Sequence, residues 1–262
     1  MATATSSTVL KAFQVLELFA EWPLLGAGDA ARLLGAPRAS VHRLLVTLKA
    51  AGVLESTDHG QYRLGLRLFE LGSFAPLRQR LHDQSILPLQ QLAAQLRLPV
   101  NLGVRDSTDV LFLEKVHHRE NTFPTRVGQR RPLHATSLGK VLLAYAPPDV
   151  LSTVLESSLP RFTPHTSTDP AHLQRELKDI RNTGLAYNRE ESRPGLAAVA
   201  TRVRNHTGKT VAAIGVSAPA CRYAHNLAVL VRPLQRTAAE IEHRLGWCPV
   251  DRGLGVVDRA TA

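Results

Sequence analysis

Cysteine is almost missing from these 262 residues, which hold only Cys221 and Cys248. Neither belongs to a Cys-x-x-Cys pair or to a Cys/His cluster at ligand spacing. A disulfide framework and a structural zinc are excluded, and two free thiols in a reducing compartment are expected. Long apolar runs are lacking too: none approaches the roughly 20 residues of a membrane span. The N-terminal stretch MATATSSTVLKAF has no basic region followed by an apolar core, so it does not read as a signal peptide. These absences lead to an expectation of a cytoplasmic protein with no membrane partner.

Catalytic motifs are equally scarce. No Gly-x-Ser-x-Gly turn occurs. Ser137-Leu138-Gly139-Lys140 looks like the end of a phosphate-binding loop. His134, however, stands where that motif needs glycine, and Val141 stands where it needs Ser or Thr. His117-His118 follows a strand-like run without partner ligands. Glu190 and Glu191 are neighbours in an extended segment and face opposite ways, so they do not converge as an acid pair. No enzyme, cofactor or metal site is expected.

Acidic residues are in deficit, 22 against 32 Lys and Arg, giving a net charge of +10 and a pI near 10.3. An anionic partner such as nucleic acid suits this balance. The excess is spread along the chain: residues 1–80 carry 9 basic and 6 acidic groups, residues 81–262 carry 23 and 16.

What is present is concentrated in Gly28 to Arg63. The spacing predicts a helix from Ala30 to Leu34, capped by Asp29 and closed by Gly35. A three-residue turn, Gly35-Ala36-Pro37, leads into a second helix that stops at Gly52. Two short strands, Val53–Glu55 and Gln61–Leu64, flank an Asp58-His59-Gly60 turn. In the second helix Val41, Leu44, Leu45 and Leu48 form one apolar stripe, and Arg43 points away from it. This is the pattern of a winged helix-turn-helix, whose second helix lies in a DNA major groove. A preceding helix capped at Ser6, Ser7 or Thr8, with Val9, Phe13, Leu16 and Ala20 on one face, is expected to pack beneath the other two.

The run Leu64 to Phe74, interrupted by Pro76, suggests a linker helix over 65–80. Ile86, Leu89, Leu92, Ala93 and Leu96 then suggest an opening helix over 82–97. Beyond Pro99, strands and helices alternate irregularly in an α+β manner. Strands are expected at Val100–Val104, Val110–Val116, Leu185–Asn188, Leu196–Arg204 and Thr210–Ser217. Helices are expected at Ser137–Tyr145, Asp149–Glu156, Ala171–Arg181 and Asn226–Leu245. The domain plan is a DNA-binding domain at 6–64, the linker at 65–80, a second domain at 81–248 and a disordered tail at 249–262.

From about residue 8 to 246 the chain resembles IclR-family transcriptional regulators. The most specific stretch runs from Arg126 through Leu133-His134-Ala135 to Gly139-Lys140 and Ala144, and is similar to the family signature. Leu159–Thr163, Thr168-Asp169 and Pro194-Gly195-Leu196 match in order. Pro37–Leu45 resembles the recognition helix and Gly60–Gly65 the wing. The resemblance implies operator binding as a homodimer or dimer of dimers. It also implies a C-terminal GAF-like domain, an antiparallel sheet flanked by helices, that binds a small organic acid effector.

Candidate DNA contacts are Arg43, for a guanine edge or a phosphate, with Ser40, His42 and Thr47 beside it. Arg38 and Lys49 suit phosphates, and Arg63 in the wing suits phosphate or minor groove. Candidate effector contacts start at Thr136 and Ser137, which open a helix whose first N–H groups suit a carboxylate. Ser217 and Asn188 end strands nearby, and Leu102, Val104, Leu113 and Leu133 are expected as apolar walls. Family members often carry an acid where Asn188 stands, a cysteine at Ala198 and a serine at Gly215. These departures imply a less polar, roomier pocket and favour a larger carboxylate such as an aromatic acid. The leading reading is a ligand-responsive transcriptional regulator, more a repressor than an activator. An enzyme of small organic acids fused to a DNA-binding module is the alternative, and a ligand-free interaction sensor the third.

Overall fold

The structure, a computed structural model, describes residues 5–74, 76–117, 125–223 and 227–247, with the backbone alone at 76–80 and 222. The expected tail, Cys248, His118 and Asn226 lie outside these residues. The chain divides into two compact units between Gln79 and Arg80.

In the first unit, Ser6 Oγ accepts from Val9 N–H and opens α1, Ser7–Leu18. Helix α2 is Ala27–Leu34 and begins at Gly26, one turn before the expected Asp29 cap. Asp29 instead pairs with Arg32 on the same helix at 2.7 Å. Gly35 adopts φ 59°, the left-handed stop that a side chain resists. Helix α3, Arg38–Ala50, follows the three-residue turn, and Gly52 at φ 74° ends it. Strands β1, Leu54–Ser56, and β2, Tyr62–Leu64, pair antiparallel with Glu55 opposite Arg63. Val15, Phe19, Leu25, Ala30, Val41, Leu45, Leu54 and Tyr62 form the core. The expected face of α1 is not the one that packs: Val9, Phe13 and Ala20 are exposed and Leu16 is half-buried, whereas Val15 and Phe19 point inward.

The expected single linker helix is two pieces. Helix α4, Leu66–Ser73, ends before Pro76, and α5 starts at Pro76 and runs to Leu96. Pro76 therefore begins a helix instead of interrupting one, because a first-turn residue needs no N–H donor. Pro88 lies inside α5.

The second unit is one antiparallel sheet in the order β5-β4-β3-β8-β7-β6. Its strands are β3 Val100–Asp106, β4 Asp109–Val116, β5 Arg130–Pro132, β6 Leu185–Arg189, β7 Leu196–Arg204 and β8 Thr210–Pro219. Strand β5, within the arginine-rich segment, was not expected. Side chains alternate across the sheet. Val100, Leu102, Val104, Val199, Ile214 and Val216 face a core shared with α5 and with α10, Val231–Arg244. Val110, Phe112, Ala186, Ala200 and Ala213 face the other core, covered by α6 Ser137–Ala144, α7 Pro148–Glu156 and α8 Pro170–Thr183. Among the described residues no helix is long and apolar enough to cross a membrane.

All eight residues of α6 are buried. The sheet beneath it is lined by small residues, and that permits so close an approach. A Cβ on Gly103 would stand 2.7 Å from Val110 Cγ2 and 3.5 Å from Leu138 Cδ1, and one on Gly215 would stand 3.3 Å from Leu138 Cδ2. Leu138 thus sits over two strands that present no side chain at those points. Gly139 is required for a related reason: a Cβ there would collide with the Leu133 backbone and Thr136 Oγ1.

Candidate functional site

The front of α3 is built by default. Burying Val41 and Leu45 turns Arg43 and its neighbours outward. Arg38, His42, Arg43, Thr47 and Lys49 are exposed, and Ser40 is half-buried. The three cations Arg38, Arg43 and Lys49 have no ion-pair partner among the described residues. Two of the other expected contacts are already engaged. Thr47 Oγ donates to the Arg43 carbonyl at 2.8 Å, and the Arg63 guanidinium holds Glu55 across the wing at 2.9 Å. Val46 also faces outward and is 46% exposed. Sequence reading missed it, although an apolar residue off the stripe of an amphipathic helix is a visible signal. A side chain of this kind suits a thymine methyl group.

The second site is a cleft at the N-terminal end of α6. The sheet supplies its floor by register. Asn188 pairs with Ala198, Ala198 with Ser217, and Gly215 with Asn101, all on the α6 side. Phe112, Leu138 and Leu196 make apolar walls, and Thr125, Gln129, Arg131, Ser192 and Arg193 close the rim. The lining contains two arginines and no acid. Neither guanidinium is ion-paired among the described residues. Thr136 Oγ1 accepts from Gly139 N–H at 2.9 Å and the Thr136 carbonyl accepts from Lys140 N–H. The Ser137 and Leu138 N–H groups are left without intrahelical acceptors.

Six of the ten expected effector residues therefore line this cleft: Thr136, Ser137, Asn188, Ala198, Gly215 and Ser217. The four expected apolar walls do not. Leu102 and Val104 lie in the core on the opposite face, and Leu113 packs against that same core. Leu133 is buried in the core under α6. The error is one of strand parity: a one-residue shift moves every side chain to the other face, so Asn101 and Phe112 stand where Leu102 and Leu113 were expected. Gly215 does not open space as expected, since Leu138 occupies what a serine would fill. Asn188 is saturated: Nδ2 donates to Ala135 O at 3.2 Å and Ser192 Oγ at 2.8 Å, and Oδ1 accepts from Glu191 N–H at 2.9 Å.

The motifs set aside in the sequence have structural roles. Lys140 is 1% exposed, and its Nζ contacts Glu176 at 2.6 Å and Glu191 at 2.7 Å. Glu190, at φ 64°, accepts from Gly195 N–H and closes the β6–β7 turn. His134 is buried, and its Nε2 lies 3.0 Å from the Pro160 carbonyl. Burial holds its pKa below the ordinary 6.5.

Comparison with known proteins bears on both sites. Residues 8–58 match the IclR helix-turn-helix domain, and residues 78–243 match the bacterial transcriptional regulator IclR C-terminal domain. The HTH-type transcriptional regulator XynR of Escherichia coli (strain K12) is 31% identical over 92% of this chain and 97% of its own length. BhcR of Paracoccus denitrificans (strain Pd 1222), also an HTH-type transcriptional regulator, is 36% identical over 81% of this chain and 77% of its own. Among solved structures, an IclR homolog from Microbacterium hydrocarbonoxydans complexed with 4-hydroxybenzoate superimposes with a TM-score of 0.84. It is 31% identical and covers 91% of this chain and 99% of its own.

Proposed function

Because the chain belongs to the IclR family of transcriptional regulators, we propose that it is a repressor that reads operator DNA with α3 and responds to a small organic acid held in the cleft beside α6. It is a DNA-binding regulator with a ligand-binding C-terminal domain, and its relatives are regulators and not enzymes. One observation carries the choice of an acid: the cleft lining has Arg131 and Arg193, no carboxylate, and a helix start facing it. Phe112, Leu138 and Leu196 favour a ligand with an apolar body, such as an aromatic ring. The bound 4-hydroxybenzoate of the Microbacterium protein supports the same class.

On the DNA side, the unpaired Arg38, Arg43 and Lys49 contact phosphates and a guanine edge, and the wing positions the helix. Repression needs only that the bound protein occupy a promoter. The protein works in the cytoplasm as a homodimer or dimer of dimers. Support for assembly is the exposed apolar set of the first unit: Val9, Leu10 and Phe13 on α1, Leu66, Phe69 and Leu71 on α4, and Phe74 at its C-terminal cap. Control by the acid requires that it bind the DNA-competent and incompetent arrangements with different affinity.

The test is calorimetric titration of the full chain with benzoate, hexanoate, pyruvate and glyoxylate. It is paired with gel-shift of a duplex selected by the protein from a random-sequence pool. Benzoate or hexanoate binds, the shift responds to it, and Arg131→Ala or Arg193→Ala weakens it. Binding of glyoxylate or pyruvate alone, or of none of the four acids, sinks the reading.

A further inference from the structure

Among the described side chains that line the cleft, one buried polar atom has no hydrogen-bond partner. Asn188 uses both ends of its amide, and Thr136 caps α6. Asn101 does not balance. Its side chain is 3% exposed, and Nδ2 donates to Ser217 Oγ at 3.1 Å. Its Oδ1 is buried and accepts from nothing among the described residues; the other buried side-chain atom without a partner there is a donor, Trp247 Nε1. A buried amide oxygen without a donor is costly, and in native proteins it calls for an explanation.

The residue paired with it offers no donor. Asn101 lies opposite Gly215, which has no side chain, and Leu138 beside Gly215 is apolar. Its position is not incidental to packing either. The strand Val100-Asn101-Leu102-Gly103-Val104 is otherwise apolar, and Asn101 falls on the face that turns to the cleft. An apolar residue of similar size would fit the sheet without leaving an orphan atom.

We propose, on the footing that the cleft binds an acid, that Asn101 Oδ1 accepts a hydrogen bond from the effector. The effector is then a carboxylate carrying a second, donating group: a hydroxyl, an amine or an amide N–H. Its carboxylate is held by Arg131, Arg193 and the start of α6, and its donor reaches the floor of the sheet. Selection works largely through gain. The donor-bearing acid satisfies an Oδ1 that the fold leaves buried without a partner, the analogue without the donor leaves it as it was, and a methyl ether presents a second acceptor to it.

Matched pairs of acids test this on the full chain by calorimetry: benzoate against 3- and 4-hydroxybenzoate, 4-methoxybenzoate against 4-hydroxybenzoate, and hexanoate against 6-hydroxyhexanoate. In at least one pair the donor-bearing acid binds about tenfold to a hundredfold more tightly than its partner. Asn101→Leu brings that ratio to within about threefold, by weakening the hydroxy acid while sparing the parent. Ser217→Ala keeps the preference, because Oδ1 is untouched. Equal affinities within every pair for the unaltered protein overturn the inference, and so does a preference that survives Asn101→Leu. Were that variant not to fold, the matched pairs on the unaltered chain decide alone. Failure of the acid-binding premise looks different: no carboxylate of the series binds, or binding is indifferent to Arg131→Ala and Arg193→Ala.

Discussion

Helices α3 and α6 both pack apolar side chains and both carry positive charge. They use it in opposite ways. Arg38, Arg43 and Lys49 of α3 stand in solvent with no ion-pair partner among the described residues. Lys140 of α6 is sealed in and held by two glutamates. What separates a charge that reads from a charge that holds is whether the fold has already satisfied it. The same distinction recurs in the wing, where Arg63 is taken by Glu55, and in the cleft, where Asn188 is saturated and Asn101 is not.

The largest effect tests the holding side. Lys140→Met leaves Glu191 and Glu176 facing an uncharged side chain in a buried setting. Breaking one partner of a buried pair costs about 3–5 kcal/mol, so urea unfolding of the full chain shows a loss of that size at neutral pH. A loss below about 1 kcal/mol would make Lys140 no different from a surface cation and erase the contrast with α3.

Arg43→Ala tests the reading side. Operator affinity falls by about 1–3 kcal/mol at fixed salt, while the urea midpoint does not move, because the side chain contacts nothing that the fold needs. Footprinting at matched salt that shows unchanged affinity removes Arg43 from the interface. Arg63→Ala sharpens the comparison with a smaller effect. Its guanidinium must leave Glu55 before it can meet a phosphate, so the affinity loss stays under about 1 kcal/mol. A loss equal to that of Arg43 means that the wing pair opens on DNA.

Much of this arrangement was legible in the sequence, and the failures have specific causes. The helix-turn-helix could be read because periodicity, glycine stops and the turn spacing all agree there. In β3 the apolar run is buried on both faces, and in β4 Val110–Leu113 is continuously apolar in sequence although its burial alternates, so parity cannot be read from the residues. That is why Leu102, Val104 and Leu113 were assigned to the cleft in place of Asn101 and Phe112. Asn101 was findable as the one polar residue in its run. Arg131 was hidden among the arginines of the signature, and its strand, three residues long, is too short to show a pattern. Arg193, Thr125 and Gln129 come from connecting segments, whose course depends on tertiary contacts that no local pattern records. Pro76 was read as a break because a proline between two apolar runs can end one helix or start the next.

The smallest effect concerns His134, which lies beside Lys140 and Glu191 beneath α6. Burial lowers its pKa, with Lys140 acting in the same direction and the Pro160 carbonyl and Glu191 opposing. The folded chain therefore keeps the ring neutral at a pH where the unfolded chain has begun to protonate it. Stability from this group is complete above the ordinary value of 6.5 and is lost as pH falls from there through the lowered value, because the unfolded state binds more protons over that interval. Urea midpoints measured from about pH 7.5 down to 5.5, across the ordinary histidine range, decline, and His134→Gln flattens that part of the decline. Glutamine can still donate to the Pro160 carbonyl, so the variant isolates the proton from the hydrogen bond. An identical slope in both proteins would mean that water reaches the ring and that this end of α6 is less closed than Lys140 implies.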